Sequence, residues 1–205
     1  NRANINRSTD ESLAALPELA SLAHDGGATL QLIVSTAWGC PYEGDVPVDR
    51  VLRVADAGIA AGADSLAYGD TTGMATPPRV TALVDGTRSR HPDVPLLLHF
   101  HNTRGTGLAN VYAALQLGVT EFDAAVAGLG GCPYAPGASG NIATEEVVAM
   151  LDDMGVETGV DIESLLEVAA YAEQMVGHPA PSQVLRAGPR SRTVEYTGAQ
   201  VTQAS

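Results

Sequence analysis

The sequence predicts an α/β fold, and three observations carry that expectation. Short apolar runs of strand type alternate with longer amphipathic stretches of helix type along the 205 residues. The strand-like runs recur roughly every 25 to 35 residues, a spacing that calls for parallel strands joined by helical crossovers. Each run also leads into a polar or glycine-rich segment, and α/β proteins bind ligands beyond the carboxyl ends of their strands.

The elements follow in order. Ser8 and Glu11 have capping-box spacing, and Leu13, Leu16, Leu19 and Leu22 recur at intervals of three until Gly26 and Gly27, so a helix opens the chain with a kink expected at Pro17. Thr29 to Ser35 is a strand, and Pro47 to Ala61 a helix with proline in its first turn. Ser65 to Tyr68 is the next strand, and Thr76 caps a helix beginning at Pro77. Pro95 to Leu98 and Gly107 to Leu117 repeat the pair. Glu121 to Val126 is the last strand, and helices over Ala143 to Asp153 and Ile162 to Met175 complete residues 1–177 as one domain. From 178 to 205 the chain is rich in Pro, Ser and Gly without periodicity, which predicts a loose tail. Periodicity does not separate an open doubly wound sheet from a segment of a barrel, and four strands cannot close a barrel of eight strands and ~250 residues.

Composition excludes several functions. The net charge is −13, with eleven Arg and no Lys, so no basic stripe is available to displace counterions from a nucleic acid. The acidic surplus reads as a solvated surface. No apolar stretch is long enough for a membrane span and no signal peptide opens the chain, so a cytoplasmic location is expected. Asn1 is not an initiator Met, which leads us to expect that the chain is cut, processed or partly recorded at its start. Two cysteines are too few for a disulfide framework.

The polar strand ends hold the candidate site. His99 and His101 lie two apart as a strand runs out, so both imidazoles project to one side. Such a pair either caps the strand through hydrogen bonds or chelates a metal. Asp70, at the end of the preceding strand, and Asn141, in the loop after the last one, favour the metal, because imidazole nitrogens with oxygen donors suit Mg, Mn, Co or Zn. Cys132 lies in Gly-Leu-Gly-Gly-Cys-Pro-Tyr, in a loop at the same face, where it is either a mobile thiol able to deliver a proton or a small space-filling residue. Cys40 has similar neighbours but no ligand cluster after it, and is read as structural. Glu145, at a helix start, either favours the positive helix end or orients groups in the site.

At GCPYEG (39–44), GDTTGMATP (69–77), HFHNTRGTGLAN (99–110) and AGLGGCPYAPGASGNIATEEVVAMLDDMGVETGVD (127–161), the chain resembles the 3-hydroxy-3-methylglutaryl-CoA lyases. These belong to the barrel metallolyases, together with isopropylmalate and homocitrate synthases. The motifs come in the family's order over roughly residues 4–190, and the cysteine loop separates lyases from the related synthases. The resemblance implies a TIM (β/α)8 barrel, a divalent cation, Mg or Mn, on His99, His101 and Asn141, and Cys132 as catalytic thiol. Asp70 would be a polar catalytic residue and Glu145 a supporting carboxylate. It further implies an acyl-CoA substrate and retro-Claisen cleavage of 3-hydroxy-3-methylglutaryl-CoA to acetyl-CoA and acetoacetate, while open sheet edges lead us to expect a homodimer. Two departures stand out. The family often has Asp where this chain has Asn102. Its first strand ends in an Arg-Asp pair, supplying a fourth protein ligand and an enolate stabiliser, which this chain lacks. By that comparison the strands here are numbers five to eight, the N-terminal ones are missing, and the 205 residues alone are expected to be inactive and to associate through open edges.

Overall fold

In a computed structural model describing residues 1–131 and 140–195, the sheet that organises the chain has four parallel strands in sequential order. They are β1 (Gln31–Ser35), β4 (Ser65–Asp70), β5 (Leu96–Phe100) and β6 (Glu121–Asp123). Between the first two lies a small antiparallel hairpin, β2 (Gly39–Cys40) with β3 (Gly44–Asp45). The register sets Ile33 beside Ala67 and Ala67 beside Leu97, then Ser35 beside Gly69, Gly69 beside His99, and His99 beside Asp123.

Alternation along each strand sends these residues to one face and Leu32, Val34, Leu66, Tyr68, Leu98 and Phe100 to the other. That second face is covered by helices: α4 (Val48–Ala60), α5 (Pro77–Arg90), α6 (Gly107–Gln116) and α7 (Thr144–Asp153). Val51, Leu52 and Ala55 of α4, Val80, Leu83 and Val84 of α5, Val111 and Ala114 of α6, and Val147 and Leu151 of α7 complete one core. Burial of a Leu, Val or Phe there stabilises by about 1.5–3 kcal/mol each. The first face is open, and Ile33, in the middle of the edge strand β1, is 62% exposed. Sequential strand order with helices on a single face is the arrangement of a barrel wall, whereas a doubly wound sheet reverses order and carries helices on both faces.

Several expected boundaries move. Strands β4 and β5 run two residues beyond Tyr68 and Leu98, because Gly69–His99 and Asp70–Phe100 continue the ladder. The last strand stops at Asp123, since the chain turns into a 3-10 helix over Val126–Gly128 with Ala127 at φ 59°. The opening helix is broken rather than kinked. Helix α2 (Thr9–Ala14) carries the expected capping box between Ser8 and Glu11, and α3 (Leu16–Asp25) restarts with Pro17 in its first turn, where proline lacks nothing a helix start needs. A short α1 (Arg2–Ile5) precedes them. At the other end, α8 (Ile162–Val176) stops at Gly177 with φ 73°. The expected tail begins with an ordered segment, which includes α9 (Gln183–Ala187) packed on α7 and α8. Among the described residues, no helix is long and apolar enough to cross a membrane.

Candidate active site at the strand ends

The open face of the sheet is a concavity of about 490 Å³ whose lining includes Ser35, Gly69, Thr71, His99, His101 and Asp123, a size typical of small-molecule sites. His99 and His101 stand at the end of β5 with ring centroids 5.0 Å apart. Both therefore reach the same side, as their spacing requires. The His99 Nδ1 is hydrogen-bonded to Asp123 Oδ1. This leaves Nε2 as the ring's remaining donor atom and fixes the ring's orientation, the usual role of a carboxylate behind a ligating imidazole. His101 is 5% exposed and its Nδ1 is buried without a partner among the described residues. Burial first, and then the neighbouring His99, hold its pKa down at about 4, so the imidazole is neutral at physiological pH, the form that binds metals.

Asn141 reaches the same place through the backbone. Residues 140–144 thread between the ends of β5 and β6. Asn102 N–H donates to the Gly140 carbonyl at 3.1 Å, Ile142 N–H to Phe100 O at 3.1 Å, and Thr144 N–H to Ala125 O at 2.9 Å. His101 and Asn141 are thereby bridge partners. The Asn141 Nδ2 donates to the Leu129 carbonyl at 2.7 Å, which leaves Oδ1 as the atom for a cation. Glycines make room for it. A Cβ on Gly130 would lie 2.6 Å from Asn141 Nδ2, and Gly140, at φ 106°, passes so near that a Cβ would meet Gly128 O at 2.6 Å.

Asp70 ends β4 fully buried. Its Oδ1 accepts from Met74 N–H at 2.8 Å and Ala75 N–H at 3.0 Å, while Oδ2 is buried without a partner among the described residues. Burial pushes its pKa up to about 6, against the opposing pull of those two amides. Glu145 is also fully buried. Its Oε2 accepts from Ala127 N–H at 3.0 Å, holding the turn after β6, and its Oε1 has no partner among the described residues. It therefore acts on a loop of the site and not merely on its own helix end. Asn102 Oδ1 accepts from Gly107 N–H at 3.1 Å at the start of α6, a structural task that a carboxylate would also perform. Cys132 lies outside the described residues. Cys40 is half-buried in the β2–β3 hairpin.

The residues thus brought together are His99, His101 and Asn141, with Asp70 at the adjacent strand end. Among the described residues, no group of three or more His, Cys, Asp or Glu side chains is arranged to hold a metal. The donor set here is instead two imidazoles and one amide oxygen, with a buried ring nitrogen lacking a partner, and it fits a divalent cation with further positions open. Asp123 was not singled out in the sequence, because it was read as mid-strand. Its distance of two from Glu121, at the inner face of a strand ending beside His99, was the available signal.

Parallel strands with helices on one face and polar residues gathered at the carboxyl ends define a protein of the (β/α)-barrel class. The chain belongs to the HMGL-like family, whose model matches residues 1–171. It is 47% identical over 186 residues to a hydroxymethylglutaryl-CoA lyase of Bacillus subtilis, covering 91% of this chain and 62% of that relative. It is 43% identical over 189 residues to an (R)-citramalyl-CoA lyase of Chloroflexus aurantiacus, covering 92% of this chain and 60% of that one. Among solved structures, an HMG-CoA lyase from Acinetobacter baumannii in complex with coenzyme A and 3-methylmalate superposes with a TM-score of 0.90 at 38% identity, covering 96% of this chain and 64% of that one. The chain therefore spans less than two thirds of the length of these relatives.

Proposed function

We propose that this chain supplies the metal-binding and cysteine-loop part of a carbon–carbon lyase that cleaves 3-hydroxy-3-methylglutaryl-CoA to acetyl-CoA and acetoacetate. The observation that carries the reading is the pairing of His99 with His101 at the end of β5, ring centroids 5.0 Å apart, and of His101 with Asn141 through a backbone bridge. It is supported by the 47% identity to a lyase of that name. A bound Mg or Mn ion would polarise the substrate oxygens it touches.

The chain's own residues do the rest. Asp123 orients His99, and Leu129 O and Gly130 set the Asn141 amide. Asp70, ionising near pH 6, is able to hold a proton at the strand end at working pH. When the C2–C3 bond of the substrate breaks, the electron pair goes to the acetyl-CoA enolate and the C3 hydroxyl proton leaves to a base. Cys132 would return a proton to C2. The strands would be the fifth to eighth of a barrel. We expect the 205-residue polypeptide alone to turn over poorly and to self-associate, because its inner face and the edges of β1 and β6 are uncovered.

A second reading is cleavage of a different 3-hydroxyacyl-CoA, favoured by the 43% identity to a citramalyl-CoA lyase. The two are separated by fusing the preceding region of the Bacillus relative ahead of Asn1 and assaying both thioesters. Acetoacetate release that EDTA abolishes and Mn restores supports the first reading. Pyruvate release from citramalyl-CoA alone supports the second, and no cleavage of either refutes both.

A further inference from the structure

The residues after Gly177 return to the back of the site. Glu173 Oε1 accepts from Ala180 N–H at 2.7 Å, and Ser182, 1% exposed, caps α9 by accepting from Leu185 N–H at 3.2 Å. The central anchor is Glu146, 4% exposed, whose Oε1 accepts from Gln183 N–H at 2.6 Å. Between these bonds, Pro181 is pressed against the turn after β6. Its Cγ lies 3.1 Å from where a Gly128 Cβ would be, and Asn141 O is 3.4 Å from the same point. Ala180 joins Ala127 and Ala169 in a small second core, against which Val126, Leu129 and Leu185 pack. Asn102, Asn141, Glu146 and Ser182 are among the residues around a cavity of about 60 Å³ at this junction.

We propose that the segment 178–187 is a rear clamp of the metal site, and that Glu146 is a positioning residue which holds it there through the amide of Gln183. The clamp acts on Leu129. With the Gly128–Leu129 turn held between Glu145 in front and Pro181 behind, the Leu129 carbonyl has one position, and the Asn141 amide that donates to it has one orientation. Without the clamp, the carbonyl moves and the Asn141 amide rotates out of the orientation that Leu129 O gives it. The two successive glutamates thus fix the same turn from opposite sides. The clamp's bearing on metal affinity rests on the metal reading above, while its bearing on Asn141 does not.

The test uses the fusion with the preceding region of the Bacillus relative and two readouts: hydrogen exchange of the Asn141 side-chain amide by ¹⁵N NMR, and Mn²⁺ affinity by EPR. Glu146→Ala should speed that exchange and weaken Mn²⁺ binding about tenfold, the lower end for residues supporting a ligand. Glu146→Gln keeps an oxygen acceptor for Gln183 N–H and should stay within about twofold of wild type. Thr87→Val, which lowers stability elsewhere, should leave the amide unchanged and so separates positioning from general loosening. If Glu146→Ala does not fold, Ser182→Ala loosens the same clamp at the start of α9, beside Gln183, and carries the same expectation. An Asn141 amide unaffected in the folded clamp variant, or equally affected in Glu146→Gln or Thr87→Val, overturns the proposal. Absence of Mn²⁺ binding in wild type would instead refute the metal reading, and the amide readout would still decide the clamp.

Discussion

Gly140→Ala is the substitution that loads the site's backbone most directly. Gly140 sits at φ 106°, and an added Cβ would lie 2.6 Å from Gly128 O and 2.7 Å from Gly130 O. Both obstacles are main-chain oxygens, in a turn already tied down by Glu145 through Ala127 N–H. Neither can swing aside as a side chain would. The left-handed backbone costs an alanine about 1–3 kcal/mol, and relief of the overlap by backbone movement about 1–3 more, so a loss of about 2–6 kcal/mol is expected. Gly155→Ala is the control: its φ is 76° with nothing within 4 Å, and only the conformational cost of about 1–2 kcal/mol applies. Urea unfolding of the two variants side by side measures the difference. Equal destabilisation within ~0.5 kcal/mol would refute the claim that close approach at Gly140 constrains the segment carrying Asn141.

Three further outcomes are expected. Asp70, held at about 6 by burial, is bound to its proton more tightly in the fold than in the unfolded chain. Its contribution to stability is thus complete below its ordinary value near 4 and is lost as pH rises through 6. In metal-free protein, Asp70→Asn should therefore gain on wild type by up to about 3 kcal/mol between pH 4 and 7, and a pH-independent difference would show that the carboxyl is not perturbed. Tyr68 OH and Thr87 Oγ1 lie 2.8 Å apart with Thr87 also donating to Leu83 O, so the tyrosine is the donor. Thr87→Val should cost about 1–3 kcal/mol by stranding that hydroxyl, and adding Tyr68→Phe should restore part of it in thermal unfolding; strict additivity would argue against the bond. In the chimeric enzyme, Cys132→Ala should cut turnover about 10²- to 10⁴-fold with metal affinity kept, while His99→Ala weakens metal binding first. Turnover within about threefold of wild type for Cys132→Ala would return the cysteine to a packing role.

The legible parts of the fold were those set by local chemistry. The Ser8–Glu11 box, the proline-started helix at Pro77 and the alternation that sends His99 and His101 to one side all depend on residues within a turn or two of each other. Strand register was not legible, and register is what places Asp123 beside His99. Nor was the docking of 178–187. Its composition lacks periodicity, and its order comes from Glu146 and Glu173 accepting backbone amides from 37 and 7 residues away. Ala127 was equally silent, since its left-handed backbone is held by the buried Glu145 carboxylate and not by its own side chain.

That contrast bears on how the site keeps its geometry. A ligand on a loop is normally placed by whatever side chains pack around it, and its precision suffers with their rotamers. Here the segment bearing Asn141 is joined to both neighbouring elements by main-chain bonds, to β5 through Phe100 O and to the turn after β6 through Ala125. The main chain next to His101 and the main chain next to Asn141 therefore move together. Besides the Glu145 and Glu146 carboxylates that brace the neighbouring turn, side chains enter in the last step, where Asn141 donates to Leu129 O and Asp123 turns one imidazole. Removing a ligand such as His99 should consequently change binding with little effect on folding, because no backbone bond depends on the ring. Altering the glycines that let the strands and the 140–144 segment approach must change both at once, since the same bonds hold the fold and aim the ligands.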